Sequence, residues 1–208
     1  MRFVTWLCAL APRPASPPPR RARLSLEPLE ERAVPSAGHD VLYVGDTADN
    51  SVKAFDAATG ATLGTLVAPA GGLHGPRGLI ARNPGQLLVV NQNVNLPIPG
   101  EVLRYNGRTG DPLGAVVSHG DPHAPFAPRG MVLKDNVLYV ASYTDGDTTP
   151  APDGEIDTYD ATTGKFLGAF SKPAGWAGQF NPRGVVFGPD GKLYASVRDT
   201  SNPAPALC

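Results

Sequence analysis

Three arginines recur along this chain at one kind of position. Arg77, Arg129 and Arg183 each stand between a proline and a glycine, in GPRGLI, APRGMV and NPRGVV, at spacings of 52 and 54 residues. A guanidinium presents a planar fork of donors that fits carboxylates and phosphates. Three of them gathered at one rim would hold an anion. The competing use is structural, because repeat-related positions usually serve the repeat. Each arginine would then bond a neighbouring unit's carbonyls or an Asp, and the recurrence favours that use.

Other candidate chemistry is sparser. His74 and His123 could act as an acid–base pair, but no nucleophile or orienting carboxylate stands beside either in the sequence. With the three arginines they are the candidate ligand-binding residues. Asp145, Asp147 and Asp153, with Glu155 close by, offer the hard oxygen ligands that Ca²⁺ takes. Their spacing matches no known calcium loop, so a solvated insertion is the stronger reading. Beyond a possible Ca²⁺, no cofactor is expected. The two cysteines, Cys8 and Cys208, stand near opposite ends of the sequence and supply neither a metal-binding spacing nor an expected disulfide.

Bulk properties narrow the partners. The net charge is −1 over 208 residues, but residues 1–32 carry six Arg against three Glu. The remainder is mildly acidic, which argues against a nucleic-acid partner, since that would call for a basic face. No apolar run approaches the roughly 20 residues of a membrane-spanning helix. The 24 Gly and 23 Pro favour many turns over long helices.

Residues 1–38 read as a targeting leader. FVTWLCALA follows Arg2 as a short export-type apolar stretch, then gives way to PRPASPPPRRAR, where proline and clustered charge stop a helix. The segment RLSLEPLEERAVPS, 23–36, resembles the short N-terminal segment shared by many extracellular proteins of planctomycete bacteria. That resemblance implies export, to the cell surface or beyond.

The elements that must position the candidates come from the body, 39–208. A second landmark keeps step with the arginines: FDAATGATLG, YNGRTGDPLG and YDATTGKFLG place Gly60, Gly110 and Gly164 at spacings of 50 and 54. Two landmarks sharing one period define a repeat of about 50 residues. Each unit reads as four short strands, called a to d. Strand a follows Pro-Arg-Gly and a tight turn leads to strand b. Strand c is SVKAF, EVLRY or EIDTY, and the Thr-Gly turn delivers strand d. In strand c, Val52, Val102 and Ile156 point to one face, while Phe55, Tyr105 and Tyr159 point to the other. Sheets apolar on both faces need covering on both, and radial stacking into a β-propeller supplies that. A two-sheet sandwich would leave one face of each sheet wet.

The expectation is therefore an all-β propeller of four-stranded antiparallel blades. It is incomplete here: strands b–d over 41–67, blades at 75–117 and 127–170, and strands a–b over 181–200, about three to four blades of six. The chain reads as a piece of a longer propeller. NPRGVVFGPDGKLYASVRDT, with LYVGDTADNSVKAFDAATG, resembles the NHL repeat. The resemblance implies a six-bladed propeller related to lactonase and lyase propellers, although the Gly-Glu-Gly-Pro stretch of the lactonases is missing.

Strand parity puts the short a–b and c–d turns at one end of each blade, and the long b–c and d–a loops at the other. The long loops are 68–75, 91–100, 118–127 and 143–154. Binding residues concentrate on variable loops held by a rigid scaffold. The function read from this is a non-catalytic binding module whose long-loop face takes a protein, glycan or small-molecule ligand. The alternative is a lactonase- or lyase-like enzyme with a metal in the central channel.

Overall fold

The computed structural model describes residues 40–82, 85–143 and 153–198, and all regular structure among them is β-strand. β1 (Val41–Asp46), β2 (Ser51–Asp56) and β3 (Thr62–Val67) form a three-stranded sheet. β4 (Pro76–Arg82), β5 (Gln86–Asn91), β6 (Glu101–Asn106) and β7 (Pro112–Val117) form the second sheet. β8 (Met131–Lys134), β9 (Val137–Ser142), β10 (Glu155–Asp160) and β11 (Phe166–Phe170) form the third. β12 (Asn181–Phe187) and β13 (Leu193–Arg198) pair as a fourth. Every pairing is antiparallel between consecutive strands. Each sheet is thus a meander whose first strand, where present, packs beside the first strand of the next.

The strand-c alternation builds the cores. Val52 of the first sheet and Tyr105 of the second meet in one cluster with Val67, Leu73, Leu87 and Val89. Val102 of the second sheet and Tyr159 of the third meet in the next, with Leu88, Val90, Leu138 and Val140. In β5, Leu87 and Val89 therefore face one neighbour while Leu88 and Val90 face the other. Each such side chain, fully buried, contributes about 1.5–3 kcal/mol. A sandwich cannot use both faces of one sheet this way, and radial packing does. The outward faces of the first and fourth sheets differ: Leu42 is 54% exposed and Val186 58%.

The Pro-Arg-Gly steps lie deeper in the strands than the sequence reading put them. β4 and β12 include the tripeptide, and their register slips between Pro76 and Leu79 and between Pro182 and Gly184. Proline has no N–H for the ladder, so the pairing must skip there. Only β8 begins after its tripeptide. The glycine permits close approach: a β-carbon on Gly130 would lie 2.5 Å from the Arg183 carbonyl oxygen.

Candidate functional site

The candidate site grows from the long-loop end of these strands. Loop 92–100 is held by its own amides. The buried Asn91 side chain accepts the His74 N–H at 2.6 Å and donates to Asn93 Oδ1 and Glu101 Oε1, both at 2.9 Å. Asn93 Nδ2 in turn donates to the Pro99 carbonyl at 2.7 Å. The neighbouring d–a loops are pinned by the strand-c tyrosines. The Tyr105 hydroxyl donates to the Gly71 carbonyl at 2.8 Å and the Tyr159 hydroxyl to that of His123 at 2.6 Å. Burial, with Glu101 nearby, pushes the Tyr105 hydroxyl up to about 12. Burial, then Asp157, raises Tyr159 as well. Both remain neutral donors.

The arginines converge on this scaffold. Arg77 is exposed, and its Nε donates to Gln92 Oε1 at 3.0 Å. Arg129 and Arg183 are half-buried, and their guanidinium carbons lie 5.9 and 5.2 Å from the centre of one ring, Tyr143. The Nε atoms of both are buried and have no hydrogen-bond partner. The ion pairs between described residues join lysines to Asp46, Asp49, Asp153 and Asp190, and none includes an arginine. Burial, and then the charges of Arg183 and Arg77, bring Arg129 down to about 10. Burial, followed by Arg198, lowers Arg183.

Where the repeat reading expected each arginine to bond a neighbouring carbonyl or an Asp, the side chains of Arg129 and Arg183 have neither among the described residues. The residue with that role is Arg82, at the opposite end of β4. Its guanidinium donates to the Ala161 carbonyl of the third sheet at 2.8 Å and to Asn136 Oδ1 at 2.9 Å.

The histidines do not share one set of neighbours. His74 sits in the loop before β4, its backbone tied to Asn91 and Val94. His123 stacks on Phe166 of the third sheet, with ring centres 4.2 Å apart and planes 5° from parallel. Asp153 accepts the Phe180 N–H at 2.8 Å and pairs with Lys172 at 2.9 Å. These two contacts, in that order, lower its carboxyl. Asp145 and Asp147 lie outside the described residues. Among the described residues, no group of three or more His, Cys, Asp or Glu is placed to hold a metal ion.

Two features were not singled out from sequence. One is Tyr143, whose ring brings two arginines together. With Arg129, Phe126, Ala127 and loop residues from Gln92 to Ile98, it lines a pocket of about 230 Å³. The other is Asp157, 4% exposed on β10. Burial, then the Glu155 carboxyl beside it, pushes Asp157 up to about 7. A signal existed for Asp157: an acid occupies a strand-c position that holds Lys53 and Leu103 in the other units.

No protein-family model matches the chain, and no curated protein does. Solved structures do. A chain of hydrazine synthase from Kuenenia stuttgartiensis is similar at a TM-score of 0.55 and 16% identity, covering 79% of this chain and 43% of that one. A gluconolactonase from Xanthomonas campestris gives 0.47 at 16%, covering 71% and 41%. A chain of the nidogen–laminin complex gives 0.48 at 15%, covering 74% and 51%. This chain thus spans less than half the length of the hydrazine synthase chain it matches. Together with the stacked four-stranded meanders, that likeness defines the class: this is an incomplete β-propeller. Among the described residues, no helix is long and apolar enough to cross a membrane.

Proposed function

We propose that this chain is part of an NHL-like, six-bladed propeller that acts outside the cell as a non-catalytic binding module. Its long-loop face is the binding face, and Arg77, Arg129 and Arg183 are the residues that meet the ligand. The observation that carries this reading is the gathering of repeat-equivalent arginines without a carboxylate partner among the described residues. Half-buried like charges with no acid bonded to them among the described residues cost stability, and a ligand that supplies negative charge recovers it. The extracellular location rests on the resemblance of 23–36 to an export segment.

The test needs no ligand. The triple variant R77Q/R129Q/R183Q should melt within about 2 °C of the parent, or above it, as expected when side chains kept for binding are removed. A fall of more than about 5 °C would mean that the arginines hold the repeat together, and the binding reading would fail.

A further inference from the structure

The pocket beside Arg129 says what kind of ligand fits, if the long-loop face is the binding face as proposed above. Its volume of about 230 Å³ is below the roughly 300–1,000 Å³ of sites that engulf a drug-sized molecule. It suits a small compound. The walls are of two kinds. Val94, Leu96, Ile98 and Phe126 supply apolar lining, and Arg129 with the amides of Gln92 and Asn95 supplies polar lining. Three of the apolar four are open to solvent: Val94 and Leu96 are 39% exposed and Phe126 is 41% exposed.

The cation end is not satisfied from within. Arg129 lacks a carboxylate partner among the described residues, and its Nε is buried and unpaired. The loop that carries the amides is tied down between them, because Asn93 bonds Asn91 and Pro99. An inorganic anion would answer Arg129 but leave the apolar wall wet. A neutral apolar molecule would cover the wall but leave the arginine unanswered. A compound carrying both a carboxylate and an apolar body answers each.

We propose that this pocket binds a small organic acid. Its carboxylate meets the Arg129 guanidinium, with Arg183 adding charge across the shared Tyr143 ring. Its apolar body covers Val94, Leu96, Ile98 and Phe126.

Benzoate is a suitable probe, titrated calorimetrically into the full chain beside its neutral isostere benzamide and inorganic phosphate. Benzoate should bind saturably at one site. Benzamide and phosphate should each bind at least tenfold more weakly. R129Q should weaken benzoate at least tenfold, and so should L96D, which sets a negative charge in the wall. Arg108, outside this pocket, supplies the control, and R108Q should leave the affinity unchanged.

Benzamide or phosphate binding as tightly as benzoate would overturn the proposal. So would an unaltered affinity in both R129Q and L96D. Asp145 and Asp147 follow Tyr143 closely in sequence. If benzoate binds only after D145N/D147N, the chain's own acids answer the cation and the proposal fails. Failure here with a stable triple-arginine variant would reject the ligand class alone. Loss of stability in the triple variant would reject the binding face itself.

Discussion

The two ends of the sheets use the same residue types in opposite ways. At the short-turn end the polar residues that open the turns are bonded within the chain, although Arg104 Nε nearby is buried without a partner. Asp56, Asn106 and Asp160 each accept two backbone N–H groups from the turn they open. Arg82 bridges the second and third sheets through a carbonyl and an amide oxygen. At the long-loop end the loops are also tied down, but Arg129 and Arg183 share only an aromatic ring. One end is finished by the protein itself. The other is rigid yet electrostatically incomplete, as a preorganised binding face would be.

The comparison breaks most visibly at the turn glycines. Gly110 and Gly164 close the Thr-Gly turns at φ of +78° and +74°, a region where a β-carbon is strained. They also press on the preceding sheet: a β-carbon at Gly110 would collide with the Leu66 carbonyl oxygen, and one at Gly164 with that of Val116. Gly114, at φ +86°, has open space around it. G110V should therefore destabilise by about 4 kcal/mol, lowering the melting temperature by about 10 °C. G114A should cost only about 1 kcal/mol, the conformational part alone. Equal losses in thermal melts of the two would show that the turn merely bends and does not dock.

The second break lies at the start of β10, on the long-loop side. Burial, then Glu155, raises the Asp157 carboxyl from 3.8 to about 7. Between those values the unfolded chain has released a proton that the folded chain keeps. The contribution of Asp157 to stability is therefore greatest below about pH 4, falls as pH rises toward 7, and is level beyond. The slope approaches about 1.4 kcal/mol per pH unit at its steepest. D157N keeps the shape without the charge. It should flatten that dependence and add about 2 kcal/mol at pH 8. Parallel denaturation curves for parent and variant from pH 4 to 8 would remove Asp157 from this account.

The two ends were unequally legible in the sequence. Periodic features were readable because each rests on backbone geometry repeated in every unit. The Thr-Gly turn, the Pro-Arg-Gly approach and the Val/Tyr alternation of strand c all reappear in space, and the paired cores follow from that alternation. The arginines were visible as a series, but their partners were not, because the repeat could not tell a bonded guanidinium from an unbonded one. Arg82 does the bridging expected of Arg129, and Lys134 at the equivalent place in the next unit likewise reaches the Gly191 carbonyl beyond β12, so this basic pair was written into the repeat beside the more conspicuous arginines. Tyr143 stands in a variable loop, so nothing in the period marked it. Asp157 was hidden for the opposite reason: the apolar residues of strand c define the period, and the acid between them carries no mark of its burial.

The smallest effect sharpens the comparison most, since it sets arginine against arginine. Arg82 donates to partners in the neighbouring sheet, so R82Q should cost about 1 kcal/mol and about 2–4 °C. Arg129 sits near Arg183 and Arg77 with no bonded acid among the described residues, so R129Q should be neutral within about 0.5 kcal/mol or slightly stabilising. Salt separates the two cases further. Raising sodium chloride shortens the Debye length from about 10 Å at 0.1 M to about 3 Å at 1 M. That relieves repulsion among the partly exposed guanidinium groups. The parent chain should then gain about 1–2 °C from this source. R82Q should keep the gain because its cluster is intact, and R129Q should lose most of it. Salts also act on stability through general solvent effects, so the informative quantity is the difference between the two variants, measured as melting temperature against salt. If R82Q and R129Q respond to salt in parallel, the arginines at the long-loop end do not repel one another, and the contrast between the two ends collapses.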